Sequence, residues 1–212
     1  MGPMGAMGGP DATGATPAGG DEPVAPYRSA ISAVTAADLG ASWRPGCPVA
    51  PDALRRVEVD HWGFDGVVHR GELVVHRSVA DEVAWAFGEL YAARFPIERI
   101  EPIDRFEGDD GASMAANNTS AFNGRRVAGS STWSEHAFGT AIDLNPVQNP
   151  CVLADGTVLP ERGRPWVDRG QQAPGMIHPG GAVHRTFVGL GWGWGGDWAD
   201  PKDHHHLSQT GR

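Results

Sequence analysis

Ser134-Glu-His-Ala-Phe-Gly-Thr-Ala-Ile-Asp143 is the stretch on which the reading of this chain turns. It offers an imidazole, His136, near its start and a carboxylate, Asp143, at its end. Between them Gly139 and the small residues Ala137, Thr140 and Ala141 allow a tight turn into a strand, so that both side chains can converge on one point. A histidine taken alone is more often a hydrogen-bonded core or surface residue than a metal ligand. The balance changes with Asp203-His-His-His206 near the carboxyl end. Two imidazoles and one carboxylate are the set that a hydrolytic Zn²⁺ accepts while keeping one tetrahedral position open for water. Asp203, three residues before His206, is then close enough to act on that water as a general base.

The triple histidine has plainer readings, as solvated polar residues or an affinity tag. A run of only three, followed by Leu207-Ser-Gln-Thr-Gly-Arg212 and preceded by an aromatic, glycine-rich stretch, reads as native. On a strand, His204 and His206 would share a face and His205 would point the other way. Periodicity does not choose between 204 and 206.

The formal net charge of -9, with no Lys/Arg run, disfavours a nucleic-acid partner, because phosphate binding needs a clustered basic face. No stretch approaches the ~18 consecutive apolar residues of a membrane span, so none is expected. With 212 residues, 40% hydrophobic, the chain is long enough to bury a core in one globular domain. Residues 1–26, rich in Gly, Ala and Pro, are predicted to be disordered, and the domain to run over 27–212. That leading segment lacks the charged start and apolar stretch of a secretory signal, which leaves the cellular location open. Cys47 and Cys151 are too few for a four-sulfur metal site and form either two buried thiols or one long-range disulfide.

Elsewhere the patterning predicts a hairpin and two helices. Arg56-Val-Glu-Val-Asp60 and Glu72-Leu-Val-Val-His76 read as strands joined through Gly63-Phe-Asp-Gly66. Val79, Val83, Phe87, Leu90 and Tyr91 recur at helical spacing, with Ser78 as the expected N-cap. Pro96–Ile103 reads as a short strand, 107–129 as a long polar loop of the kind that usually has a job, 141–144 as a strand and 182–190 as a short helix. Strands and helices without a regular βαβ rhythm indicate an α+β fold.

From about Ser42 to Ser208 the chain resembles the zinc peptidases of peptidoglycan that include VanY-type D-alanyl-D-alanine carboxypeptidases and phage-endolysin L-alanyl-D-glutamate peptidases. The matching pieces are Ser134-x-His136-x-x-Gly139-x-Ala141-x-Asp143, Asn145-Pro146, Thr119-Ser-Ala-Phe-Asn-Gly-Arg125, Gly175-Met-Ile177, and Trp192-Gly-Trp-Gly-Gly-Asp-Trp198 followed by Asp203-x-x-His206-Leu207. The resemblance implies a small antiparallel sheet flanked by helices, similar to the D-Ala-D-Ala metallopeptidase and hedgehog-type fold. It implies one zinc held by His136, Asp143 and His206, with Asp203 as the base and Arg125 on the substrate carbonyl or carboxylate. Ser134 would hydrogen-bond substrate or stabilise its own turn, and the tryptophans around Trp194 would shape a cleft wall. The implied substrate is a peptidoglycan stem or cross-link peptide, met outside the cytoplasm or in the cell wall by a monomer. A non-catalytic zinc module is the alternative, and Asp203 weighs against it, since a structural zinc has no need of an adjacent acid. The chain departs from many relatives in carrying Gly124 where a cysteine often sits and His205 where a proline often precedes the last ligand.

Overall fold

Val57 and Val59 alternate with polar residues along one nine-residue strand, and the apolar run Leu73-Val-Val75 lies on the nine-residue strand beside it. The computed structural model describes residues 25–212. In it β1 (Ser29–Ala33), β2 (Leu54–Trp62) and β3 (Val68–His76) form an antiparallel sheet in the order β1-β2-β3, with Val57 opposite Leu73 and Arg55 opposite Val75. The predicted hairpin is there, and its strands run further than the alternation indicated. A short helix, α1 (Ala36–Leu39), follows β1 and opens with a capping box between Thr35 and Asp38.

The apolar face of this sheet is covered by α2 (Ala80–Ala92), whose Val83, Ala84, Phe87, Leu90 and Tyr91 are buried while Trp85 on the outer face is 52% exposed. Ser78 is not its N-cap. Its hydroxyl pairs with His76 Nδ1 at 2.7 Å, and Val79, which has no capping side chain, precedes the first turn.

The predicted strand over 96–103 shrinks to β4 (Arg99–Ile100), which pairs in parallel with β5 (Asn118–Thr119). Gly71 explains how β4 reaches β3, because a Cβ there would lie 2.4 Å from the Ile100 Cβ. The predicted long loop contains α3 (Asp110–Ala115), capped by Asp109, as well as β5. Local side-chain caps and the buried amide of Asn118, which bonds Glu101 and Ser113, order this polar stretch without an apolar pattern to announce it.

Two further three-stranded antiparallel sheets lie beyond. One joins β6 (Ala141–Asp143), β9 (Gly193–Trp194) and β11 (His206–Ser208) in the order β6-β11-β9. The other joins β7 (Cys151–Val152), β8 (Val158–Leu159) and β10 (Lys202–Asp203) in the order β10-β7-β8. Helix α4 (Ala182–Gly189) turns Val183 and Phe187 inward, as its spacing predicted. The architecture is α+β, built from several small sheets instead of one, because Gly, Pro and short 3₁₀ turns interrupt most strands after two or three residues. One hydrophobic cluster runs from Val57 and Leu73 through Phe87 and Phe187 to Ile142, Leu144, Trp194 and Leu207, which ties the β1-β2-β3 sheet to the β6-β11-β9 sheet.

The stretch predicted to be disordered falls mostly on residues 1–24, which lie outside the described residues; Ala25 accepts a hydrogen bond from the Tyr91 hydroxyl at 2.7 Å. Among the described residues no helix is long and apolar enough to cross a membrane. Cys47 and Cys151 are both free thiols.

Asp60 on β2 is buried and lies 2.9 Å from Arg28 Nε and 3.1 Å from Arg70 Nη1. Burial opposes its charge, but the two guanidiniums outweigh burial and hold its carboxyl below the ordinary range. A depressed folded-state pKa stabilises above the unfolded value of about 3.9 and is lost as pH falls through the folded value. Asp60→Asn should therefore cost roughly 1 kcal/mol near neutrality, a modest figure because both arginines are solvent-screened. In urea titrations its gap from wild type should narrow below about pH 4; a gap constant with pH would show that the ion pairs contribute nothing.

Candidate metal centre

Antiparallel pairing brings Asp143 and His206 together. The register of β6 against β11 sets His206 opposite Asp143 and Leu207 opposite Ile142. Residues directly opposite point to the same face, and neighbours along a strand to opposite faces. Ile142 and Leu207 therefore enter the core, fully buried, while Asp143 and His206 meet on the other side.

His136 arrives from a 3₁₀ turn, Glu135–Phe138. The Ser134 hydroxyl accepts from the His136 backbone N–H and caps this turn, so the structure shows the turn-stabilising role for that serine. Gly139 ends the turn at φ 71°, in the left-handed region, and its missing side chain matters as well. A Cβ there would lie 2.6 Å from the His76 backbone nitrogen, which donates to the Gly139 carbonyl at 2.8 Å. Only glycine meets both conditions at once.

The three side chains converge closely. His136 Nε2 is 3.3 Å from His206 Nδ1 and 3.2 Å from Asp143 Oδ2, and His206 Nδ1 is 3.1 Å from Asp143 Oδ1. All three residues are buried. The outward nitrogens are already committed: His136 Nδ1 donates to the Ala121 carbonyl at 2.6 Å, and His206 Nε2 donates to the Arg212 backbone oxygen at 3.0 Å. Carbonyls only accept, so the protons sit on the outer nitrogens and two inner lone pairs face each other beside a carboxylate. That arrangement is repulsive unless a cation lies among the three. Ligand bonds of about 2.0–2.1 Å to a tetrahedral zinc separate donor atoms by about 3.3 Å, so the donor set fits such an ion. Burial opposes charge on His136, but Asp143 outweighs it and raises the His136 pKa; burial opposes charge on Asp143, but His136 and His205 hold it well below the carboxylate range.

Asp203 ends β10, where it pairs with Cys151 of β7. Its Oδ1 lies 3.0 Å from His205 Nε2, in a contact too bent to be a hydrogen bond. The same nitrogen is 3.9 Å from Asp143 Oδ2, so both carboxylates face one imidazole. The alternation expected over 204–206 is broken, since residues 204 and 205 form a bend between β10 and β11. His205, expected to point away, is buried against the site. His204 is buried with Nδ1 unpartnered, and burial, with Arg169 adding to it, pushes its pKa down to about 4.

Arg125 makes an ion pair with Asp110 on α3, Nη2 to Oδ2 at 2.8 Å, while its buried Nε has no partner. Asp110 drew no notice in the sequence, lying in the polar stretch before Arg125 without a recognisable motif. Trp194 is 3% exposed, and its Nε1 donates to the His204 carbonyl at 2.8 Å. The expectation that it walls a cleft is corrected: the ring belongs to the core and holds the bend before His206 from behind. At position 124 a Cβ would lie 2.4 Å from Cys47 Sγ and 2.7 Å from the Ser42 carbonyl, which leaves room there for glycine alone.

Comparison with known proteins bears on the same segment. Residues 128–209 match the family model described as D-alanyl-D-alanine carboxypeptidase, a span that includes His136, Asp143, Asp203 and His206 and stops short of Arg125. No curated protein and no solved structure matches the chain at a significant level. The matched segment holds all three converging donors, and over it the chain is similar to the D-alanyl-D-alanine carboxypeptidase family.

Proposed function

We propose that this protein is a zinc-dependent peptidase that hydrolyses stem or cross-link peptides of bacterial peptidoglycan, on a domain of the D-Ala-D-Ala metallopeptidase and hedgehog type. The observation that carries the reading is the spacing of His136 Nε2, Asp143 and His206 Nδ1, three donors at the mutual distances of a tetrahedral site with one position left. Zinc bound there would polarise the scissile carbonyl and lower the pKa of a water. Asp203 takes a proton from the attacking water and passes it to the leaving amine. Arg125, held by Asp110 on one side, turns its remaining N–H groups to the developing oxyanion.

The rival reading, a zinc-containing binding module, is disfavoured by the same geometry. A structural zinc closes its fourth position with protein, and the donor group found among the described residues has three members. Purified peptidoglycan incubated with the zinc-loaded protein and resolved by mass spectrometry tests the proposal. New amino groups on D-Glu would identify an endopeptidase cutting after L-Ala, and free D-Ala a carboxypeptidase. Zinc bound with no product from any wall preparation would favour the binding module.

A further inference from the structure

We propose that Asp110 sets the substrate preference of this site: paired with Arg125, it closes that arginine to a free carboxylate and leaves it open to a neutral carbonyl. The favoured substrates are then peptides in which the residue after the scissile bond has its carboxyl group capped, as an amide or in a further peptide bond. The inference rests on the reading of Arg125 as the group that meets substrate. Arg125 Nη2 lies 2.8 Å from Asp110 Oδ2. Its Nε is buried without a partner and offers nothing to an incoming molecule. Nη1, with only a long 3.5 Å contact to the Arg126 carbonyl, is the nitrogen left for substrate. A guanidinium grips a carboxylate by presenting two parallel N–H donors, whereas a carbonyl oxygen is satisfied by one. With Nη2 and Nε both withdrawn, the two-point grip is lost and the one-point contact remains.

Charge works in the same direction. Asp110 offsets the positive charge of the guanidinium, and a substrate carboxylate would bring a second anion to the same arginine. A peptide carbonyl brings none. The side chains of Arg125 and Asp110 are 29% and 25% exposed, open enough for a peptide to reach them and enclosed enough that solvent does not erase the effect. The pair is also anchored to the metal centre from both sides. Asp110 begins α3, whose Ser113 accepts from the buried Asn118 Nδ2 at 3.0 Å. Asn118 lies on β5, and Ser120 just beyond it exchanges two backbone hydrogen bonds with Asp143, at 2.9 and 3.0 Å. The Arg125 carbonyl accepts from the Ser134 N–H at 3.2 Å, two residues before His136.

Two peptides that differ only in the carboxyl group test the proposal. One pair is N-acetyl-L-Lys-D-Ala-D-Ala and its carboxamide; for a cut after L-Ala, the pair is L-Ala-γ-D-Glu-L-Lys with the D-Glu α-carboxyl free or amidated. Zinc-loaded wild type should cleave the amide form of a pair with about 10-fold higher kcat/KM. Asp110→Asn keeps an acceptor for Nη2 and removes the anion, so the preference should shrink towards parity, chiefly through a lower KM for the free carboxylate. Wild type that cleaves the free carboxylate as fast as the amide overturns the proposal, whatever the variant does. So does a ratio left unchanged by Asp110→Asn, including a loss shared equally by both peptides, which would leave Asp110 only the role of holding Arg125 in place. If the wild type cleaves neither pair, the peptidase reading fails by itself, and calorimetric titration of the same peptides decides. Tighter binding of the amide that disappears in Asp110→Asn upholds the proposal, and equal binding or none overturns it.

Discussion

The zinc-loaded Asp203→Asn protein should keep its metal, fold and melting temperature and lose about 10²- to 10⁴-fold in turnover, the usual contribution of a general base. The substitution is nearly isosteric, and Asp203 is not among the three converging donors, so neither the zinc site nor the strand pair of β10 with β7 depends on its charge. An amide cannot accept the proton of an attacking water, which isolates the chemical step. Release of D-Ala, or of peptides with new D-Glu amino ends, measures it. Turnover equal to wild type would remove Asp203 as the base, and loss of zinc would make it a ligand.

The second large effect concerns the donors themselves. His136→Ala, Asp143→Ala and His206→Ala should each abolish stoichiometric zinc, read by elemental analysis, while His204→Ala and His205→Ala retain it. Each of the three donors contributes one corner of a cluster with mutual distances of 3.1–3.3 Å, and the remaining pair cannot hold the ion alone. Chelation provides an independent measurement. A ligand that binds only the folded state stabilises it by about 4 kcal/mol at a thousand times its Kd, so a chelator should lower the wild-type melting temperature and leave that of His206→Ala unchanged. Stoichiometric zinc in His206→Ala would overturn the donor assignment.

Much of this site was legible before any coordinates. His136, Gly139 and Asp143 carry their geometry in their spacing, because a turn that only glycine permits, followed by a strand, sends both side chains to one place. The strand of Val57 and Val59 follows equally from its alternation, and its hairpin partner from the apolar run Leu73–Val75 beyond a glycine turn, as does the buried stripe of α2 from its helical period. The choice of His206 over His204 came from resemblance, and the physical reason lay in the pairing of β11 with β6, which places His206 directly opposite Asp143. The stretch over 107–129 was misread as a loop because α3 and β5 are held by side-chain caps and one buried amide, which leave no hydrophobic period.

What the amino-acid sequence by itself determined is the chemistry available: which donors exist, which glycine permits the turn between them, and which residues alternate into a core. Such properties are local, fixed by side-chain identity and by a handful of backbone angles. Tertiary structure alone decided which groups meet. Trp194 went to the core because its indole N–H found the His204 carbonyl, Arg125 was paired with Asp110 from a helix no pattern announced, and His205 was turned inward by a bend that broke the strand alternation. Each depends on contacts between residues far apart in the chain or on a break in a local period, and a register between distant strands is set by the packing of the whole core, not by the residues it brings together.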